Sequence, residues 1–394
     1  MRVLLSGGGT GGHIYPALAI GNKILSEDKN AVIEYVGTER GLETRLVTRE
    51  GYKIHYVKVQ GIRRSISAEN IKALLYAVTS VLEAKKIIKE FRPDIVIGTG
   101  GYVCWPVLKA ASQMKIPTLV HESNAIAGVA TKMLAPHVSK VLFNFNETAK
   151  SLNLPREKYE RVGNPIKQEM FTLKKSEMRA KHAIPDDARV VLSFGGSLGA
   201  KSINDVILEI LCDENSDKEI YHFHATGAKY WEASRELLLS RGFIDSGEDE
   251  IRKGNYFVRK YIYDMPEMLA LSDVVICRAG AMTVSEVSAM GKAAIFIPSP
   301  NVTDNHQYKN AHVLEAAGAA RLIEEKNLNY KSLCDAISDY FENTDRTKKM
   351  CNKLTTFAVP DCLDRIYRII LDITKYERKR NGKGRSKIFG IRSR

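Results

Sequence analysis

Residues 3–16 read Val3-Leu4-Leu5-Ser6-Gly7-Gly8-Gly9-Thr10-Gly11-Gly12-His13-Ile14-Tyr15-Pro16. A short apolar run passes straight into a glycine cluster, and a helix is expected to enter at Pro16. Strand, glycine turn and helix in that order open a parallel α/β sheet. The junction also aims bare backbone N–H groups and the positive end of a helix at one point, which suits a phosphate. A tight turn favours glycine for conformational reasons alone, so a single loop leaves both readings open. Two more loops follow expected strands: Gly98-Thr99-Gly100-Gly101-Tyr102, and Gly195-Gly196-Ser197-Leu198-Gly199-Ala200. Three such loops, spread over both halves, are harder to explain as turns. None completes a dinucleotide fingerprint, because Ala31–Val36 runs into Gly37-Thr38-Glu39-Arg40 without a closing acid. The Lys-Ser/Thr ending of a P-loop is also missing.

Outward from that stretch, β-branched runs alternate with helical patterns. The first series is Val3–Ser6, Ala31–Val36, Ile54–Val59, Asp94–Gly98, Thr118–Glu122 and Val141–Phe145. Between them, Glu69 to Phe91 repeats Ile71, Leu74, Leu75, Val78, Leu82 and Ile88 at helical spacing. A break near Arg161-Val162-Gly163-Asn164-Pro165 and a charged, strand-poor stretch to Ala188 end this series. A second one follows: Val190–Phe194, Ile220–Ala225, Tyr256–Ile262, Val274–Cys277 and Ala294–Ile297. The expectation is an α/β protein of two doubly wound Rossmann-like domains, residues 1–164 and 165–372. The closing segment, Thr344 to Tyr376, reads as a helix interrupted at Pro360, and such a helix can cross back to the first domain.

The chain has 394 residues, 59 Lys+Arg against 46 Asp+Glu, and a net charge of +13. At 44% hydrophobic and 27% charged it is not a disordered chain. No apolar run approaches the roughly 18 residues of a membrane span, and no secretory leader is evident. The six cysteines are scattered without a CxxC pair, so reduced thiols in a soluble intracellular protein are expected. Residues 375–394 hold nine Lys or Arg and one acid, and read as a basic disordered tail. The remainder is only mildly basic, which argues against nucleic acid as the partner.

The richest stretch is Arg278-Ala279-Gly280-Ala281-Met282-Thr283-Val284-Ser285-Glu286, followed by Asp304-Asn305-His306-Gln307-Tyr308-Lys309-Asn310-Ala311. A helix is expected from Thr283, with Glu286 in its first turn. There the carboxylate either stabilises the helix end or accepts two vicinal ribose hydroxyls.

Over about residues 1–372 these motifs, with His121-Glu122-Ser123-Asn124 and Val162-Gly163-Asn164-Pro165, resemble the MurG family of peptidoglycan glycosyltransferases. The resemblance implies the GT-B fold, two Rossmann-like domains facing across a cleft. It implies transfer of N-acetylglucosamine from UDP-GlcNAc to the muramyl sugar of lipid I, with inversion. Donor contacts carry over to Thr10, Gly11, Gly12, Asn124, Lys167, Ser197, Ile262, the run Ala281, Met282, Thr283, Val284, Ser285 and Glu286, and Gln307. Among these, Ile262 would meet the uracil, Glu286 the ribose and Gln307 the sugar. Gly9, Gly100, Gly101 and Tyr102 would meet the acceptor diphosphate, and His13 matches the family's general base. Lys167 stands where many members have Arg, replacing a planar fork with a point charge. Cys104-Trp105 replaces small residues, and the basic tail has no family counterpart.

The chain has no DxD motif, so neither a metal nor another cofactor is expected, and N–H groups and helix dipoles must offset the charge developing on the diphosphate. A polyprenyl acceptor places the enzyme peripherally at the cytoplasmic face of an anionic membrane. Gly61-Ile62-Arg63-Arg64-Ser65-Ile66 supplies basic and apolar residues for that surface. The alternatives are a UDP-GlcNAc 2-epimerase and a catalytically silent nucleotide-sugar-binding subunit.

Overall fold

The computed structural model describes residues 1–59 and 68–388, with the helix backbone alone at 68–78 and 376–388. The stretch Gly61–Ile66 lies outside the described residues. The chain divides into two compact units: Met1–Pro165 with the segment from Asp361 onward, and Ile166–Pro360.

Among the described residues the first unit holds seven strands: β1 (Arg2–Ser6), β2 (Val32–Gly37), β3 (Lys53–Tyr56), β4 (Ile95–Gly98), β5 (Thr118–Glu122), β6 (Lys140–Phe143) and β7 (Tyr159–Arg161). They pair in the order β3-β2-β1-β4-β5-β6-β7, all parallel. Helices cover both faces, so β1 and β4 are mostly apolar and buried rather than alternating, and β5 is buried at every residue although it carries Thr118, His121 and Glu122. On one face Leu4, Val96, Val120 and Val141 pack with Ile88, Phe91, Val107 and Leu108. The helix expected over Glu69–Phe91 runs Ala68–Phe91, but Leu82, read as part of its apolar stripe, is exposed.

The second unit repeats the plan: β8 (Val190–Phe194), β9 (Tyr221–Ala225), β10 (Ile244–Gly247), β11 (Glu250–Lys253), β12 (Tyr256–Arg259), β13 (Val274–Cys277), β14 (Ala293–Phe296) and β15 (Arg321–Leu322). Their order is β10-β11-β12-β9-β8-β13-β14-β15, parallel except for the antiparallel pairs β10–β11 and β11–β12. Strand β10 is exposed at every residue, and its polar sequence gave no strand signal. In each sheet the chain winds outward from a central strand and then reverses, at β1/β4 and at β8/β13. Such switch points open a crevice beyond the carboxyl ends of the strands, where ligands bind.

The helix Cys362–Ile388 belongs to the first unit, where Ile366, Ile369 and Ile370 are buried and Asp364 pairs with Lys23 at 2.6 Å. Its backbone is helical through Ile388, so the tail expected to be disordered from residue 375 is helical over its first part. Lys and Arg are good helix formers, and the packed turns before them nucleate the extension. None of the described helices is long and apolar enough to cross a membrane.

Candidate functional site

In the first unit the glycine loops after β1 and β4 lie against each other at the switch point. The Gly8 N–H donates to the Gly100 carbonyl at 3.3 Å, and the Thr99 N–H to the Ser6 carbonyl at 2.9 Å. Thr99 Oγ1 donates to the His13 carbonyl at 2.6 Å. A Cβ on Gly101 would come within 2.3 Å of the Gly8 oxygen, and Gly101 has a φ of +85°. Only glycine fits there.

The helix expected at Pro16 begins at Gly11, with extended Thr10 as its N-cap. The starting turn is therefore glycine itself, and His13 sits in the first helical turn. Its Nδ1 lies 3.1 Å from the Gly8 carbonyl oxygen and 3.4 Å from Thr10 Oγ1. A Cβ on Gly100 would fall 2.9 Å from His13 Nε2, so this glycine makes room for the ring. Thr10, Gly11, Gly12, His13, Gly100 and Gly101 thus converge, and Tyr102 beside them is 59% exposed.

The Gly9 N–H donates to Glu43 Oε2 at 3.2 Å, which engages the single donor that this glycine has. Glu43 was not found from sequence, although Gly37, Gly41 and Gly8 all leave room for its side chain. Asn124 follows β5, where its N–H and Nδ2 both donate to Glu122 Oε1 at 3.1 Å. Glu122 also accepts from Gly128 N–H at 3.0 Å and Thr131 Oγ1 at 2.7 Å, so this buried carboxylate orders the loop. His121, also buried, faces the Gly163 carbonyl through Nε2 at 2.8 Å, and burial holds its pKa below the usual range.

In the second unit the carboxyl ends of β8, β13 and β14 carry the remaining candidates. Ser197 is exposed in the loop after β8. The helix after β13 spans Ala281–Met290 with Gly280 as N-cap and no side-chain cap, two residues earlier than expected. Glu286 therefore lies in the second turn, away from the terminal N–H groups, which removes the helix-end account of it. It is partly buried, and burial pushes its pKa from 4.5 up to about 7, while the Lys167 ammonium pulls it down. Gln307 Oε1 accepts from Ser299 N–H at 2.9 Å, so its amide N–H groups are the donors it offers a ligand. The Ile262 side chain is 3% exposed, which leaves its backbone as the group able to meet a base; Tyr261 and Tyr263 on either side are exposed. Arg278, after β13, reaches Ser202 at 3.2 Å and the Ile297 carbonyl at 3.0 Å, tying the neighbouring loops together. His182, Asp264 and Glu267 bring ligand-type atoms within 4.8 Å of one another, but Lys181 and Arg259 already pair with the two carboxylates, as in an ion-pair network.

Two Rossmann-like α/β units, each with glycine loops at the switch point of a parallel sheet, form the architecture of GT-B glycosyltransferases. Residues 3–143 match the glycosyltransferase family 28 N-terminal domain and residues 190–366 its C-terminal domain, and the chain belongs to this family. A relative from Acetivibrio thermocellus, UDP-N-acetylglucosamine–N-acetylmuramyl-(pentapeptide) pyrophosphoryl-undecaprenol N-acetylglucosamine transferase, is 42% identical over 95% of this chain and 99% of its own. The Bacillus subtilis protein of the same name is 38% identical over 95% and 100%. The crystal structure of Acinetobacter baumannii MurG superimposes with a TM-score of 0.72 at 27% identity, covering 94% of this chain and 99% of that one. A UDP-GlcNAc 2-epimerase from Neisseria meningitidis shares the fold at a TM-score of 0.62 and 15% identity, covering 94% and 100%.

Proposed function

We infer that the protein transfers N-acetylglucosamine from UDP-GlcNAc to the C4 hydroxyl of the muramyl sugar of lipid I, giving lipid II for peptidoglycan. The observation that carries this reading is that likeness to N-acetylglucosaminyltransferases runs through 95% of the chain and so through both units. The acceptor hydroxyl attacks the anomeric carbon opposite the departing UDP, inverting it, and loses its proton to a base.

His13 is that base in this reading. A carbonyl oxygen only accepts, so Nδ1 facing Gly8 carries the ring proton and Nε2 is the nitrogen that takes another. The N–H groups opening the helix Ala281–Met290 and the loop at Ser197 meet the donor diphosphate, and their dipoles offset its growing charge. Glu286 takes the ribose hydroxyls, Gln307 the sugar, and the Ile262 backbone the uracil. Lys167 adds a positive charge beside Glu286, and Thr10, Gly11, Gly12 and Asn124 complete the donor contacts. Gly100, Gly101 and Tyr102 face the acceptor diphosphate. The polyprenyl acceptor holds the enzyme at the cytoplasmic face of the membrane, and the product supports wall growth, cell shape and division.

The test is incubation with UDP-GlcNAc and a lipid I analogue. UDP release matched by a β-linked disaccharide is expected. Formation of UDP-ManNAc without acceptor would instead make the protein a 2-epimerase.

A further inference from the structure

Glu43 is fully buried under the first glycine loop, where the reading above uses no carboxylate. Its Oε1 accepts from Thr38 N–H at 3.0 Å and Thr38 Oγ1 at 2.7 Å, and its Oε2 accepts from Gly9 N–H at 3.2 Å. It is the first residue of the helix Glu43–Arg49. A Cβ on Gly37, Gly41 or Gly8 would lie within 2.6, 2.2 or 2.8 Å of its side chain, so three glycines clear its socket. A buried carboxylate is costly unless it is hydrogen-bonded, and here its contacts tie the loop after β2, at Thr38, to the loop after β1, at Gly9.

The Gly9 N–H and the Gly8 carbonyl belong to the same peptide unit. That unit is planar and trans, so its N–H and C=O point in opposite directions. Glu43 holds the N–H end at 3.2 Å, and His13 Nδ1 meets the oxygen end at 3.1 Å. We propose that Glu43 is a positioning residue that acts on His13 through the Gly8–Gly9 peptide, fixing which ring nitrogen carries the proton. The carboxylate draws the N–H toward itself, polarises the peptide and makes the Gly8 oxygen a stronger acceptor for Nδ1–H. The imidazolium formed during reaction is stabilised by the same contact. This inference rests on the reading of His13 as the base.

Glu43→Gln keeps the shape but sets an amide N–H₂ group against one of the N–H donors. Its kcat with UDP-GlcNAc and a soluble lipid I analogue should fall about 10- to 100-fold, with UDP-GlcNAc affinity unchanged. The acid limb of its pH–rate profile should move to lower pH by about 0.5–1 unit, a shift that loss of packing alone would not cause. A kcat within about threefold of the parent, or a loss of kcat with the limb unmoved, overturns the proposal. His13→Ala is run alongside: if it keeps its kcat, the base reading fails, and this inference with it. Should Glu43→Gln not fold, ¹⁵N NMR of the His13 ring in the unmutated protein decides. A neutral ring protonated at Nδ1 is expected, and a ring protonated at Nε2 refutes the relay.

Discussion

Glu286 gives the sharpest test of the donor site, because burial holds its pKa at about 7 rather than 4.5. Only the carboxylate form accepts from both ribose hydroxyls. About a tenth of the free protein is in that form at pH 6 and about nine-tenths at pH 8, so UDP-GlcNAc should bind about tenfold more tightly at pH 8. The intact sugar nucleotide is the right ligand, since its diphosphate diester does not titrate in this range. In the folded protein the charged form is disfavoured, so this group costs stability progressively from pH 4.5 to about 7 and by a constant amount above. Glu286→Gln should therefore recover about 1–3 kcal/mol and raise Tm at pH 8, while weakening UDP-GlcNAc about 10- to 150-fold. It should also discriminate less between UDP-GlcNAc and its 2′-deoxy analogue. Lys167→Met removes the charge that pulls this pKa down, and should move the binding transition to higher pH. Calorimetric titration at constant ionic strength measures the affinities, and thermal unfolding at pH 8 measures the change in Tm. A parent affinity flat from pH 6 to 8, together with unchanged 2′-deoxy discrimination in Glu286→Gln, would refute the ribose assignment.

Three further outcomes are expected. His13→Ala should lower kcat by about 10²–10⁴ with little change in donor affinity; near-normal kcat with weak lipid I binding would make it an anion contact instead. Ser193 Oγ lies 2.8 Å from both His222 Nε2 and His224 Nδ1 in the core of the second sheet, and burial depresses these imidazoles from 6.5 to about 3 and about 4. The unfolded chain thus takes up their protons first, so Tm should fall as pH drops from about 6.5 towards 4, and His224→Gln should flatten that slope. An equal slope in the variant would exclude the pair as its source. Truncation to residues 1–374 should reduce co-sedimentation with anionic vesicles at low salt while leaving Tm and turnover of a short-chain acceptor unchanged; superimposable binding curves would make the tail inert.

Much of the site was legible because its parts are local. A strand followed by glycines and a helix declares itself within about a dozen residues, so β1, β4 and β8 could be placed with the loops that follow them. Boundaries were less visible. Both functional helices begin earlier than expected, at Gly11 and Ala281, because a helix start depends on a cap conformation that Thr10 and Gly280 adopt only in the folded loop. The exposed strand β10 was missed since pairing with β11, rather than burial, holds it.

The sequence by itself determined the fold class, the chain break near residue 165, and the strand–glycine–helix junctions, with His13 at the first of them. Those depend on periodicity and on φ values that few residue types adopt. Only the tertiary structure decided the two switch points, because strand order is a matter of long-range pairing. It also decided the return of the segment from Asp361 to the first unit. The buried carboxylates of Glu43 and Glu122 emerged in the same way: a glutamate's role depends on which distant N–H groups the fold turns towards it. For Gly9 the fold supplies a partner that the sequence does not announce, since Glu43, 34 residues further along the chain, takes the one N–H that glycine has to give.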